Sequence, residues 1–126
     1  MKVIITENAP LPLGPYSQGI LSGNLVFTAG QIGVDPKTGK LAEGFENQVV
    51  QALKNLEAIL NKAGASKCSI LKVTVYLKNI NRFKDFNKIY EEFNDTIKKF
   101  GLKKSPTLLK LMEYFVKNPE RVLFEK

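Results

Sequence analysis

Histidine and tryptophan are absent from the 126 residues, and cysteine occurs once, at Cys68. Without histidine the chain lacks the commonest ligand of zinc and non-haem iron, so no metal is expected. The same absence removes the base of a Ser-His or Cys-His nucleophile pair. A lone thiol closes no internal disulfide, and without a base partner Cys68 reads as a structural residue. Long apolar runs are missing as well: nothing approaches the roughly 20 residues needed to cross a bilayer, and the opening Met1-Lys2-Val3-Ile4-Ile5 is too short for the apolar part of a signal peptide. The chain is therefore expected to work in the cytoplasm, away from membranes. Internal repeats, low-complexity tracts and linkers are also absent.

What is present suits one globular domain over residues 1–126. Hydrophobic residues make up 44% and charged residues 25%, enough for a single core and too ordered a composition for a disordered chain. The net charge of +7 would attract nucleic acid or anionic metabolites at long range. The lysines are dispersed, however, and no basic run is interleaved with aromatics, so RNA is a weakly supported partner.

Periodicity outlines the elements. Val3–Ile5 reads as a strand, and Gly19–Ser22 and Leu25–Ala29 as a hairpin around the turn Gly23-Asn24. Asp35-Pro36-Lys37-Thr38-Gly39 is a second turn. From Gly44 to Ala63 the residues Val49, Leu53, Leu56, Leu60 and Ala63 recur at helical spacing, and Gly64 is placed to stop the helix. Leu71, Val73, Val75 and Leu77 alternate with polar neighbours as in a half-buried strand. Asn81 is placed to cap a second helix with an apolar stripe of Phe83, Phe86, Tyr90, Phe93, Ile97 and Phe100, ended by Gly101. Strands, helix, strand, helix make an α+β domain with its helices on one face of a sheet.

The glycines, prolines and amides of Gly14-Pro15-Tyr16-Ser17-Gln18 and of Thr28-Ala29-Gly30-Gln31-Ile32-Gly33-Val34-Asp35-Pro36-Lys37-Thr38-Gly39 stand where a backbone bends or presents bare peptide groups, as at the rim of a pocket. These stretches closely resemble the RidA/YjgF family of small imine deaminases, whose pattern is GPYxQ, then (S/A)GQI, then DPxTG. The resemblance implies a chorismate-mutase-like fold, a mixed sheet with two helices on one face, assembled as a homotrimer with pockets between subunits. It also implies cofactor-free hydrolysis of 2-imino acids, such as 2-iminobutanoate and 2-iminopropanoate, to 2-keto acids and ammonia. Such chemistry needs little machinery, because a protonated C=N carbon is already electrophilic. A buried guanidinium would hold the substrate carboxylate by bidentate hydrogen bonds and a carboxylate would aim a water, with backbone groups and a tyrosine hydroxyl completing the cavity.

By the same resemblance Tyr16 matches the tyrosine that reaches substrate, Gly30 the glycine whose backbone lines the pocket, and Ala29 a position that is serine in many members. Asn87 matches an asparagine on the second helix. Glu125, aligned through Pro119-Glu120-Arg121-Val122-Leu123-Phe124-Glu125, matches the glutamate that handles water.

Beyond Phe93 the resemblance decays. Where the family has an arginine in a Pro-Ala-Arg step, this chain reads Pro106-Thr107-Leu108, and Lys110 is the nearest cation, sharing a face with Leu108 if the segment is a strand. The stretch from Pro106 to Pro119 is also longer than its family equivalent. Locally, Ser105 as N-cap, Pro106 at the first turn, and the spacing of Leu108, Leu111, Met112 and Phe115 favour a helix, whereas the family expectation is a central strand. Two further readings stand beside the deaminase. One is a non-catalytic binder of a small ligand that lacks the arginine clamp; the other is an endoribonuclease or translation inhibitor.

Overall fold

The computed structural model describes residues 1–93, and every structural statement below concerns them. The hairpin forms as its turn residues dictate. Strands β2 (Gly19–Ser22) and β3 (Leu25–Thr28) pair antiparallel with Ser22 opposite Leu25, which leaves Gly23 and Asn24 as the connection. Gly23 has φ 58° and Asn24 keeps a negative φ, the pattern of a type II′ turn, whose twist matches that of the strands. Strand β1 (Lys2–Ile4), one residue earlier than the spacing suggested, pairs antiparallel with the other edge of β2, so the sheet order is β1-β2-β3.

The pleat sorts the side chains. Val3, Ile20 and Phe27 form one cross-strand row on the outer face, and Val3 and Phe27 remain 49% and 61% exposed. Ile4 and Leu21 turn to the inner face, where helix α1 (Phe45–Lys62) covers them. The helix ends in a Schellman motif: the amide of Gly64 donates to the Asn61 carbonyl at 3.0 Å and that of Ala65 to the Leu60 carbonyl at 2.9 Å, with Gly64 at φ 84°.

Two apolar clusters divide α1 along its length. Near its end, Ile59, wholly enclosed, packs with Ile4 and Ala9 beneath the sheet, a burial worth about 2–3 kcal/mol. Near its start, Val49 and Leu53 pack with Phe86 of helix α2 (Phe83–Phe93), and Leu56, Val75 and Leu77 close around them. The Arg82 guanidinium sits 4.3 Å from the centre of the Phe45 ring, and Phe86 stacks on Tyr90 at 5.7 Å.

Two sequence expectations are corrected. The cap before the second helix is Asn79, whose side chain accepts the Asn81 amide at 3.0 Å, because a 3₁₀ turn over Ile80–Arg82 precedes α2 and moves the start signal back. The segment from Leu71 to Leu77 keeps its alternation, with Val73, Val75 and Leu77 half-buried and the polar residues between them exposed, but it pairs with no strand among the described residues, and Leu71 is 81% exposed. The alternative structures of 105–117, and Ile97, Phe100 and Gly101, lie outside the described residues. No described helix is long and apolar enough to cross a membrane.

Candidate functional site

The Tyr16 motif and the Gly30 motif meet at the open end of the β2–β3 hairpin. Beyond the Gly19–Thr28 pair, the Ala29 amide donates to the Gln18 carbonyl at 2.9 Å, so the ladder runs one step past the strands before the chains part. Tyr16 therefore leaves this end on one side and Gly30 on the other.

Gln18 anchors the first side. Its side chain is 1% exposed, and its Oε1 accepts the Thr6 amide at 2.7 Å. Its Nε2 faces the carbonyls of Thr6 at 2.9 Å, Ala9 at 3.1 Å and Pro10 at 2.9 Å. Two protons shared among three carbonyls, with the oxygen also engaged, leave no unmet polar group on the carboxamide. The 6–10 segment is thereby tied to the body, and the residues after it project outward. The Tyr16 amide turns back to the Gly14 carbonyl at 2.8 Å, and the Tyr16 hydroxyl accepts the Leu13 amide at 3.3 Å. The tyrosine is 54% exposed, with its ring folded near Gly14.

On the second side the chain lies flat against α1. A Cβ added at Gly33 would stand 2.5 Å from the Gln48 Cα and 2.6 Å from its carbonyl oxygen, so only glycine permits this approach. The Gly33 carbonyl accepts the Ala42 amide at 2.8 Å, and the Asp35 to Gly39 turn closes with the Gly39 amide on the Asp35 carbonyl at 2.8 Å and the Lys37 amide on Asp35 Oδ1 at 2.8 Å. From the helix, Asn55 Nδ2 donates to the carbonyls of Ile32 at 3.1 Å and Val34 at 2.9 Å. Gly30 itself is exposed, with nothing within 4 Å of an added Cβ.

Tyr16, Ala29 and Gly30 thus flank the same open end of the hairpin. Among the described residues that edge is an open wall, with Leu13 at 99% and Ile32 at 67% exposure beside it, and not a closed hollow. Asn87 is half-buried on α2, one residue after Phe86, and no hydrogen bond joins it to this edge. Lys110 and Glu125 lie outside the described residues. Sequence reasoning missed Gln18 and Asn55 as supports; their only signal was an amide beside a glycine-rich turn or at a helix position between apolar neighbours. A separate open groove of about 490 Å³ is lined by Thr6, Asn8, Lys54, Glu57, Ala58, Asn61 and Lys62, and neither Tyr16 nor Gly30 borders it. No described cluster of acidic or thiol side chains is placed to hold a metal ion.

Comparison with known proteins places the chain in a family and a fold. The profile of the family described as endoribonuclease L-PSP matches residues 6–107. The chain is 49% identical over 92 residues to the 2-iminobutanoate/2-iminopropanoate deaminase of Salmonella typhimurium, an alignment covering 73% of this chain and 72% of that one. It is 50% identical over 93 residues to a RutC family protein of Aquifex aeolicus, covering 74% of each. Among solved structures, Escherichia coli TdcF with bound serine superposes with a TM-score of 0.74 at 41% identity over 76% of each chain. The YjgF gene product of Escherichia coli superposes with a TM-score of 0.74 at 40% identity, over 82% of this chain and 80% of that one.

Proposed function

Because the chain belongs to the RidA/YjgF family, we propose that it hydrolyses reactive 2-imino acids, such as 2-iminobutanoate and 2-iminopropanoate, to 2-keto acids and ammonia. The observation that supports this reading is the Ala29–Gln18 bond, which joins the strand ends next to Tyr16 and Gly30, in a chain 49% identical over 92 residues to a deaminase of that specificity.

The chemistry asks for placement more than for power. Water adds to the carbon of a protonated C=N bond, the resulting amino alcohol loses ammonia, and the carbonyl remains. The exposed peptide groups around Gly30 offer donors to the substrate carboxylate, and the Tyr16 hydroxyl offers a polar contact at the reacting end. Ala29 contributes only its backbone there. Glu125 is assigned the water and Lys110 the charge on the carboxylate, with Asn87 as a further polar contact. Lys110 is a point charge without the planar fork of an arginine, so substrate binding is expected to be looser than with a guanidinium.

One open wall needs others. The outer sheet face, with Val3, Ile5, Leu25 and Phe27 all at least 44% exposed, is an apolar surface of the kind that copies of a chain bury against one another. In this reading the protein acts in the cytoplasm as a homotrimer, and the second wall of each pocket comes from a neighbouring copy.

The test generates 2-iminobutanoate in situ from an amino acid with a dehydratase and follows loss of the imine while semicarbazide traps what remains. Acceleration over buffer and over an equal concentration of an inert protein is expected, and Tyr16→Phe and Glu125→Gln should each reduce it. An unaccelerated reaction rejects the proposal. A rise in melting temperature with the keto acid but no turnover would favour the binding protein instead. The net charge of +7 and the family's description favour a second reading, cleavage of RNA, whose mark would be steep salt dependence that survives further purification.

A further inference from the structure

Helix α1 buries Val49, Leu53, Asn55 and Ile59, and the asparagine is wholly enclosed. A carboxamide in that position costs stability unless every polar atom is matched, and here each one is. Both Nδ2 protons go to carbonyls of one short segment, those of Ile32 and Val34, while Oδ1 accepts Gln51 Nε2 at 2.9 Å. The two carbonyls fix which end of the amide faces the segment, since a flipped carboxamide would set oxygen against both, and Gln51 satisfies the oxygen on the other side. The Ile32 carbonyl also accepts the Val34 amide at 2.8 Å, so the turn that Asn55 grips is already tight, and Gly33 at its centre lies on the backbone of Gln48.

Resting on the reading of the Tyr16–Gly30 edge as the imine site, we infer that Asn55 is a positioning residue for that site. Gly30 is two residues from the gripped carbonyl of Ile32 and one from Ala29, whose amide is held by Gln18. Gly30 therefore lies between two fixed points, with open space where a Cβ would stand. A hydrophobic residue at position 55 would fill the space but leave the Ile32 and Val34 carbonyls and the Gln51 amide without this partner. The asparagine instead specifies where the segment sits, and a displacement on the order of 1 Å at such a place is enough to slow a reaction by orders of magnitude. Asn55 touches no substrate; it acts through the backbone of residues 30–34, and Gln51 acts through Asn55.

The experiment compares the parent protein with Asn55→Leu and with Asn55→Ser, the latter a shorter polar side chain whose single proton cannot serve both the Ile32 and Val34 carbonyls. Hydrogen exchange is read in peptides covering 29–35, in α2 and in β1–β2, and kcat and KM for 2-iminobutanoate are measured per folded protein. The expected result is exchange in 29–35 faster by about tenfold with α2 unchanged, and a fall of about tenfold in kcat with a smaller change in KM. Exchange that rises evenly through all three regions, or not at all, overturns the inference, as does an unchanged kcat alongside loosened 29–35. If Asn55→Leu fails to fold, Asn55→Ser decides. If the parent protein shows no turnover, the proposed reaction is rejected, and the exchange pattern alone decides whether Asn55 sets this segment.

Discussion

Replacing Gln18 by leucine keeps the approximate volume of the side chain and removes every polar contact it makes. The Thr6 amide, the Thr6 carbonyl and the Ala9 carbonyl would lose buried partners, and the Pro10 carbonyl a partly buried one. Each buried polar group left unmatched costs about 1–3 kcal/mol. Because Glu7 and Asn8 are exposed, water can reach part of this loop, so the lower end of that range applies to each of the three buried groups. We expect a loss of about 3 kcal/mol, a large share of the roughly 5–15 kcal/mol by which domains are stable, with a melting temperature about 10–15 °C lower. Urea unfolding followed by far-ultraviolet circular dichroism measures it. Gln18→Glu gives a second reading with a pH signature. An ionised carboxyl would face three carbonyls, so burial and repulsion raise its folded pKa above the unfolded value of about 4.3. The stability kept by the neutral acid is fully present below that pH and is lost as pH rises through the folded pKa, so this variant should be more stable at pH 4 than at pH 7 relative to the parent. A Gln18→Leu protein within about 1 kcal/mol of the parent would refute the claim that this carboxamide holds the loop.

Three further outcomes follow from the same geometry. Gly33→Ala should destabilise by about 2–4 kcal/mol in urea unfolding, because its Cβ meets the Gln48 backbone, whereas Gly30→Ala, with open space around it, should unfold within about 0.5 kcal/mol of the parent yet lose imine turnover. Ile59→Ala should cost about 2–5 kcal/mol by the same measurement, since its side chain is wholly buried between Ile4 and Ala9. Phe27→Lys, which places a charge on the exposed apolar row with Val3 and Ile20, should shift sedimentation toward the monomer and leave circular dichroism unchanged; a trimer of undiminished stability would count against that face as the contact between copies.

Much of the fold could be read from letters whose meaning is local. Gly23-Asn24 sets a hairpin, Asp35 to Gly39 sets a turn, and Gly64 stops a helix, each through backbone geometry that depends on neighbours in the chain. The interior of α1 was only half legible for a physical reason. Its first turns face α2 through Val49, Leu53 and Leu56, while its last turns face the sheet through Ile59, Ala58 and Ala63, so one straight stripe through Leu60 misses Ile59. The burial of Gln18, though it closes the first motif, and of Asn55 was not legible because polar residues carry no signal of burial; they are enclosed only because distant loops bring carbonyls to them. The segment from Leu71 to Leu77 showed its alternation, but pairing is a property of two segments and cannot be read from one. For the site, the motifs that carry Tyr16, Ala29 and Gly30 lie at the ends of the two strands joined by the Ala29–Gln18 bond, while the openness of the edge follows from tertiary placement that no motif encodes.

The claim on which the rest depends is that the edge formed by Tyr16, Ala29 and Gly30 is the working surface, rather than the groove beside Lys54 and Asn61. Titrating ¹⁵N-labelled assembled protein with 2-ketobutanoate, the keto acid that hydrolysis of 2-iminobutanoate leaves, tests it directly. We expect saturable shifts of the amides of Tyr16, Ala29 and Gly30 with those of Asn8 and Lys54 unmoved; saturable shifts confined to Asn8, Lys54 and Asn61 would contradict it.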